Sequence, residues 1–198
     1  MIEMHPAAAA PATRQNSATL ARQAGLALSG SALVALAAHI SIPLLFTPVP
    51  LTMQNFAVIL LGLLLEPATA IAAMALYLIE GASGLPVFTP AGPGGLLQLL
   101  GPSGGFLLAY PLVAACASRI ARLRPAGFSS RVVAGAVASL LLYVCGASWL
   151  TLVSHVSFPT VLKMAVLPFL AGDALKVVAA AAIVVSLSSL RKRLQPAR

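Results

Sequence analysis

Asp173 and Lys176 stand three residues apart in an apolar run, LAGDALKVVAAAAIVVSL, that carries no other charge before Arg191. The whole chain has only four acidic residues, so an acid and a base set together here ask for a reason. Ionisable groups inside a hydrocarbon span are costly, are usually paired, and mark substrate or ion sites. The i, i+3 spacing puts both on one helix face, where each can partner the other when no ligand is bound. A polar ligand can then replace one partner with the other without stranding a bare charge. That is the constitution of a binding site; a structural ion pair locking helices together is the plainer alternative.

Neutral hydrogen-bonding residues are expected at the same end of the molecule. Thr52, Gln54, Asn55, Thr89 and Gln98 fall on loops or helix starts, and a few convergent polar groups in an apolar bowl make a small-molecule site. Tyr143 and Trp149, six apart on one apolar span, fit either that site or helix packing. His39 and His155 lack a second metal ligand at suitable spacing, so no metal site is expected. Cys116 and Cys145 each lie alone in apolar stretches and read as small packing residues. The segment Gly101-Pro102-Ser103-Gly104-Gly105 lacks the lysine of a phosphate loop, and no G-x-x-x-x-G-K-[ST] occurs in the chain. Its glycines are read as permitting a tight turn into the next span, and the protein is not expected to be an enzyme or to hydrolyse ATP itself.

The elements that position these residues are apolar spans. Of the 198 residues, 60 % are apolar and 8 % charged, with a mean hydropathy of +0.98, whereas soluble chains carry about 25 % charged residues. This is the composition of an integral membrane protein, all-α and one domain. Six spans are expected: about Ala24–Phe46, Phe56–Leu65, Ala68–Ile79, Gly104–Ile120, Val132–His155 and Leu167–Leu190. A perpendicular crossing takes about 20 residues, so the second and third are short. Residues 1–22 are expected to form a flexible tail, 23–190 the six-helix membrane domain, and 191–198 a basic tail. No short apolar stretch with a cleavage site precedes the first span, so a cleaved signal is not expected.

The net charge of +8 does not point to nucleic acid, because the basic residues form no aromatic-interleaved patch. Arg14 and Arg22 precede span one, Arg119, Arg122, Arg124 and Arg131 separate spans four and five, and Arg191, Lys192, Arg193 and Arg198 follow span six. Six crossings put these ten of the twelve basic residues on one side, which the positive-inside rule makes cytoplasmic. Both termini are then cytoplasmic, and the loops 47–54, 81–103 and 155–167 face outward. The Gly/Pro-rich loop 81–103 is long enough to be a lid or binding loop. Small residues Ala27, Ser31 and Ala35 recur every fourth position of span one; such a stripe either packs helices internally or docks another membrane subunit.

Three separated segments, PVPLTMQNFAVILLGLLL, ALYLIEGASGLPVFTPAGPGGLLQLLGPSGGF and LPFLAGDALKVVAAA, closely resemble the BioY family, the biotin-specific S components of energy-coupling-factor (ECF) transporters. The resemblance runs from about residue 26 to 190. Ser103, Phe106 and Ala171 depart from the Thr, Tyr and Pro common in the family, and the loss of the phenol at 106 removes any hydrogen bond made there. The resemblance implies a six-helix S-component fold in the cytoplasmic (inner) membrane, surrounded by lipid, binding biotin from outside and using no cofactor. It also implies a transmembrane coupling protein and two cytoplasmic ATPases as partners, with Ala27, Ser31 and Ala35 as the docking surface. Asp173 would take a ureido N–H of biotin, and Lys176 would meet either the ureido oxygen or the valerate carboxylate. Thr52, Gln54, Phe88, Thr89, Gln98 and Tyr143 complete the expected site, with Leu85 and Leu96 covering the apolar body. A sister vitamin carrier, a membrane enzyme using an acid–base pair, and a ligand-free structural subunit are the competing readings.

Overall fold

The computed structural model describes residues 17–194. Helix α1 (Ser17–His39) leads into a two-residue hairpin, β1 (Ser41–Ile42) and β2 (Leu51–Thr52), and then α2 (Gln54–Leu64) and α3 (Pro67–Ala82). A short α4 (Gly95–Leu100) precedes the long α5 (Gly104–Leu123) and α6 (Phe128–Ser154). Helix α7 (Phe158–Ala165), a single 3₁₀ turn (Leu167–Phe169) and α8 (Leu170–Leu194) complete the chain. Four helical stretches are long and apolar enough to cross a membrane: α1, α5, α6 and the broken helix from Phe158 to Arg191. Helices α2 and α3 are apolar but shorter.

Several boundaries differ from expectation. The expected tail 1–22 lies outside the described residues up to position 16, but from Ser17 onward it is helix, since Thr-Leu-Ala-Arg-Gln contains good helix formers. Similarly, α8 continues through the expected basic tail to Leu194, and 195–198 lie outside the described residues. The first span ends at His39 rather than Phe46. Pro43 disfavours helix at Ile42, and the chain turns into the hairpin, pairing Ser41 with Thr52 and Ile42 with Leu51. The loop 155–167 holds α7, and Leu167-Pro168-Phe169 forms the break before α8.

The short α2 has a physical reason. At about 1.5 Å per residue its 11 residues span roughly 16 Å, well below the hydrocarbon thickness of about 30 Å. It is nevertheless buried along most of its surface, from Gln54 to Leu63, packed against α1, α5, α6 and α8. Length matching to lipid therefore does not constrain it; protein surrounds it. Helix α5 approaches so closely that a β-carbon on Gly62 would lie 2.8 Å from the Ala114 carbonyl oxygen.

The most extensive helix pair is α5 with α6. It is locked by reciprocal small-to-large packing: Gly105 lies under Trp149, and Gly146 lies under Phe106. The Trp149 indole donates to the Gly101 carbonyl at 2.9 Å, tying the turn before α5 to α6. Neither Gly104 nor Gly105 has positive φ; Gly84, Gly94 and Gly95 do. The expected tight turn does lead into α5, closed by the Gly104 N–H to the Gly101 carbonyl at 3.0 Å, while Gly104 and Gly105 themselves serve close packing.

The stripe on α1 takes the packing role, one of the two expected of it. Ala27 and Ser31 are buried and Ala35 half-buried, while neighbouring Gly30 faces Ala73 of α3. Ser31 donates its hydroxyl to the Glu80 carboxylate of α3. Small residues let the two helices approach, so Ala27 and Ser31 pack α1 onto the protein's own bundle.

Candidate functional site

The break at Leu167–Phe169 fixes where α8 begins, and Asp173 falls in its first turn, where the helix dipole favours a carboxylate. Lys176 follows one turn later, with its Nζ 2.8 Å from Asp173 Oδ1. Two other helices close on the same carboxylate. Asn55 of α2 donates its Nδ2 to Oδ2 at 2.9 Å, and the Tyr143 hydroxyl of α6 donates to Oδ2 at 2.5 Å. Lys176 also donates to the Thr52 carbonyl at 2.8 Å. Asp173 is only 6 % exposed, yet three donors surround it, one of them the countercharged Lys176, which meets the requirement for burying an ion.

This cluster forms one wall of a cavity of about 560 Å³ counted out to its mouth. Polar groups on the opposite side come from the long loop. The Gln98 side chain accepts from Gly94 N–H at 3.1 Å and approaches the Ser103 hydroxyl at 3.4 Å, while the Thr89 oxygen accepts from Ala91 N–H at 3.4 Å. Gln54 donates to the Tyr77 hydroxyl at 2.5 Å, and that hydroxyl donates to the Val87 carbonyl at 3.2 Å. Tyr77 thereby couples α2 to the loop. Thr52 accepts from the Gln54 N–H at 3.3 Å, a hydroxyl turn just ahead of α2. Between these polar walls lie Phe106, Leu107, Tyr110, Leu142 and Phe169.

Thr52, Gln54, Thr89, Gln98, Tyr143, Asp173 and Lys176 therefore converge on one cavity, as the sequence led us to expect. Phe88 does not line it. Its ring is buried over Gly81 and packs edge-on against Tyr77, with centroids 5.3 Å apart. It supports the wall from behind, because an aromatic in a Gly-rich loop found a helix glycine to cover. Leu85 and Leu96 are exposed and likewise do not line the cavity.

Sequence inspection assigned no role to Tyr110 or Phe169, and it placed Asn55 only among the polar groups near the site; all three line the cavity. Phe106 and Tyr110 are four residues apart, a helical-face signal hidden within an apolar span where aromatics usually pack as core. Asn55 was visible as a polar residue, but only the fold brings it to Asp173. Its Oδ1 has no hydrogen-bond partner although it is buried. A buried acceptor left unmade costs about 1–3 kcal/mol, which makes this atom notable in a cavity wall.

Chemically the site offers an ammonium, a carboxylate, neutral amides and hydroxyls around apolar walls. It suits a small, mostly apolar ligand with a polar head. The basic side chains collect at the other end. Arg22, Glu66, Thr69 and Arg122 line a separate cavity there, and Arg131 donates to the Ala121 carbonyl at 2.8 Å.

The chain is similar to known proteins over most of its length. The BioY family model matches residues 9–193. A probable biotin transporter BioY of Pyrococcus horikoshii is 36 % identical over 166 residues, covering 84 % of this chain and 94 % of its own. The biotin transporter BioY of Thermotoga maritima is 34 % identical over 160 residues, covering 81 % and 92 %. The biotin transporter BioY2 of Lactococcus lactis is 32 % identical over 150 residues, covering 75 % and 80 %. A crystal structure of the S-component for biotin from an ECF-type ABC transporter superposes with a TM-score of 0.79 at 24 % identity, over 88 % of this chain and 95 % of that one. The two share a fold.

Proposed function

The chain belongs to the BioY family, and on that premise we propose that it is a biotin-binding membrane subunit that takes up the vitamin as part of an ECF-type transporter. The observation that carries the reading is the buried Asp173–Lys176 pair, set in an apolar cavity at the end opposite the arginines. The positive-inside rule makes the arginine end cytoplasmic, so the cavity faces outside and both termini face the cytoplasm, with α2 and α3 counted among six crossings. The inner membrane is then its location.

Biotin suits the walls. Its fused rings and valeryl chain are apolar and would lie against Phe106, Leu107, Leu142 and Phe169. Its ureido group carries two N–H donors and a carbonyl acceptor. Asp173 has one oxygen held by a single donor, which leaves a lone pair for a ureido N–H. Lys176 uses two of its three N–H groups on Asp173 and Thr52, and the third is available to the ureido oxygen or the valerate carboxylate. Thr89, Gln98 and Gln54 supply the remaining polar contacts. The energy for release would come from partners, a transmembrane coupling protein and two cytoplasmic ATPases.

The test is equilibrium binding of radiolabelled biotin to the purified protein, alongside native mass spectrometry of the detergent extract for a co-purified vitamin. Saturable biotin binding by wild type, weakened at least about tenfold (~1.4 kcal/mol) in Lys176→Ala, is the expected result. Absence of biotin binding by the folded wild type refutes the proposal.

A further inference from the structure

We propose that Asn55 is a specificity-determining residue of the cavity, its side-chain oxygen accepting a hydrogen bond from an N–H of the ligand. The inference rests on the reading of this cavity as the biotin site, and it assigns one acceptor that the charged pair does not supply.

The orientation of the amide is set by its neighbour. Nδ2 faces Asp173 Oδ2 at 2.9 Å; the flipped amide would set an oxygen against a carboxylate, acceptor against acceptor. Oδ1 is therefore the atom left over, and it has no partner among the described residues. Asn55 is 6 % exposed, and its residue lines the cavity beside Asp173 and Tyr143. An acceptor that is buried and unmade is a cost that a donor on a ligand removes.

Asp173 alone is poorly placed to read two donors. Its Oδ2 already receives Asn55 and Tyr143, and its Oδ1 receives Lys176, so three of about four acceptor positions are used. One ligand N–H can still reach the carboxylate. A second N–H requires another acceptor; the free carboxylate position is on Asp173 Oδ1, and Asn55 Oδ1 is the other unpartnered acceptor among the residues lining the cavity. The two N–H bonds of a cyclic urea point away from each other on either side of its carbonyl, so a head group held at Asp173 by one of them needs a separate acceptor for the other, the role assigned to Asn55 Oδ1. A group with a single N–H leaves one acceptor unmade, and sites that hydrogen-bond a donor reject analogues lacking it.

Binding of biotin and of two analogues, each methylated on one ureido nitrogen, tests this on wild type and on Asn55→Leu. The expected result is that wild type binds one or both analogues at least tenfold more weakly than biotin. Asn55→Leu, which also removes a donor to Asp173, should bind biotin at least fivefold more weakly, and loss of the acceptor is read from the lost discrimination against one analogue. Equal binding of all three ligands by wild type overturns the inference without need of the variant, should Asn55→Leu fail to fold. Unchanged biotin affinity in Asn55→Leu, or unchanged discrimination against both analogues, overturns it while leaving the biotin reading intact. Failure of wild type to bind biotin at all strikes the biotin reading itself, and this inference with it.

Discussion

At the scale of single residues, the site is a balance of buried charge. Asp173 and Lys176 compensate each other at 2.8 Å, and removing either leaves the other unpaired and largely out of water, a loss that reaches about 3–5 kcal/mol for a fully buried pair. Asp173→Ala should therefore abolish detectable binding and lower thermal stability, because it strands Lys176, Asn55 and Tyr143 together. Asp173→Asn keeps the size and removes the countercharge, and melting in detergent should place it between wild type and Asp173→Ala. Tyr143→Phe removes one donor to the carboxylate and should weaken ligand binding modestly, by about 1 kcal/mol, as isothermal titration would read. Phe88 belongs to a different class. Its ring touches Tyr77 and Gly81 rather than the cavity, so Phe88→Ala is expected to cost stability, about 3 kcal/mol. A variant that melts like wild type yet fails to bind ligand would reverse that assignment.

At the scale of elements, glycines decide how close the helices come. Gly62 admits the Ala114 backbone of α5, and an added β-carbon at 2.8 Å from a carbonyl oxygen forces the helices apart. Gly62→Ala should lower stability by about 1–3 kcal/mol, whereas Gly25→Ala, with nothing within 4 Å of the new carbon, should be neutral or slightly stabilising. Thermal unfolding of the two variants checks both outcomes in one experiment. Because α2 carries Gln54 and Asn55 into the cavity, Gly62→Ala should also weaken ligand binding, though it lies at the far end of that helix. The breaks between elements matter as much. The prolines at 43, 48 and 50 are legible in the sequence as chain turns, but the hairpin they border becomes visible only when Thr52 pairs with Ser41. The same holds for Pro168, whose 3₁₀ turn sets the phase of α8 and so the direction of Asp173.

At the scale of the whole molecule, the Asp173–Lys176 cavity and the arginine end lie apart, and the proposed orientation follows from applying the positive-inside rule to that separation. In a Cys116→Ser/Cys145→Ser background, a cysteine at exposed Leu97 should react with a membrane-impermeant thiol reagent on intact cells. One at Gly127, in the exposed turn between α5 and α6, should react only after lysis; the opposite pattern would invert the topology. Much of this was legible beforehand, because hydropathy and charge are local quantities: a membrane chain must bury its backbone in helices, and a charged pair inside an apolar helix declares itself. The amino-acid sequence alone thus determined the helical membrane class, the clustering of arginines, and Asp173, Lys176 and most of the polar residues near them. Only the tertiary structure decided that the Ala27–Ser31–Ala35 stripe faces inward, that Phe88 backs the wall rather than lining it, and that Asn55 meets Asp173 across 118 residues of chain. Those outcomes depend on which faces of several helices meet, and the packing of one face is fixed by residues distant in sequence, so no local pattern could have carried them.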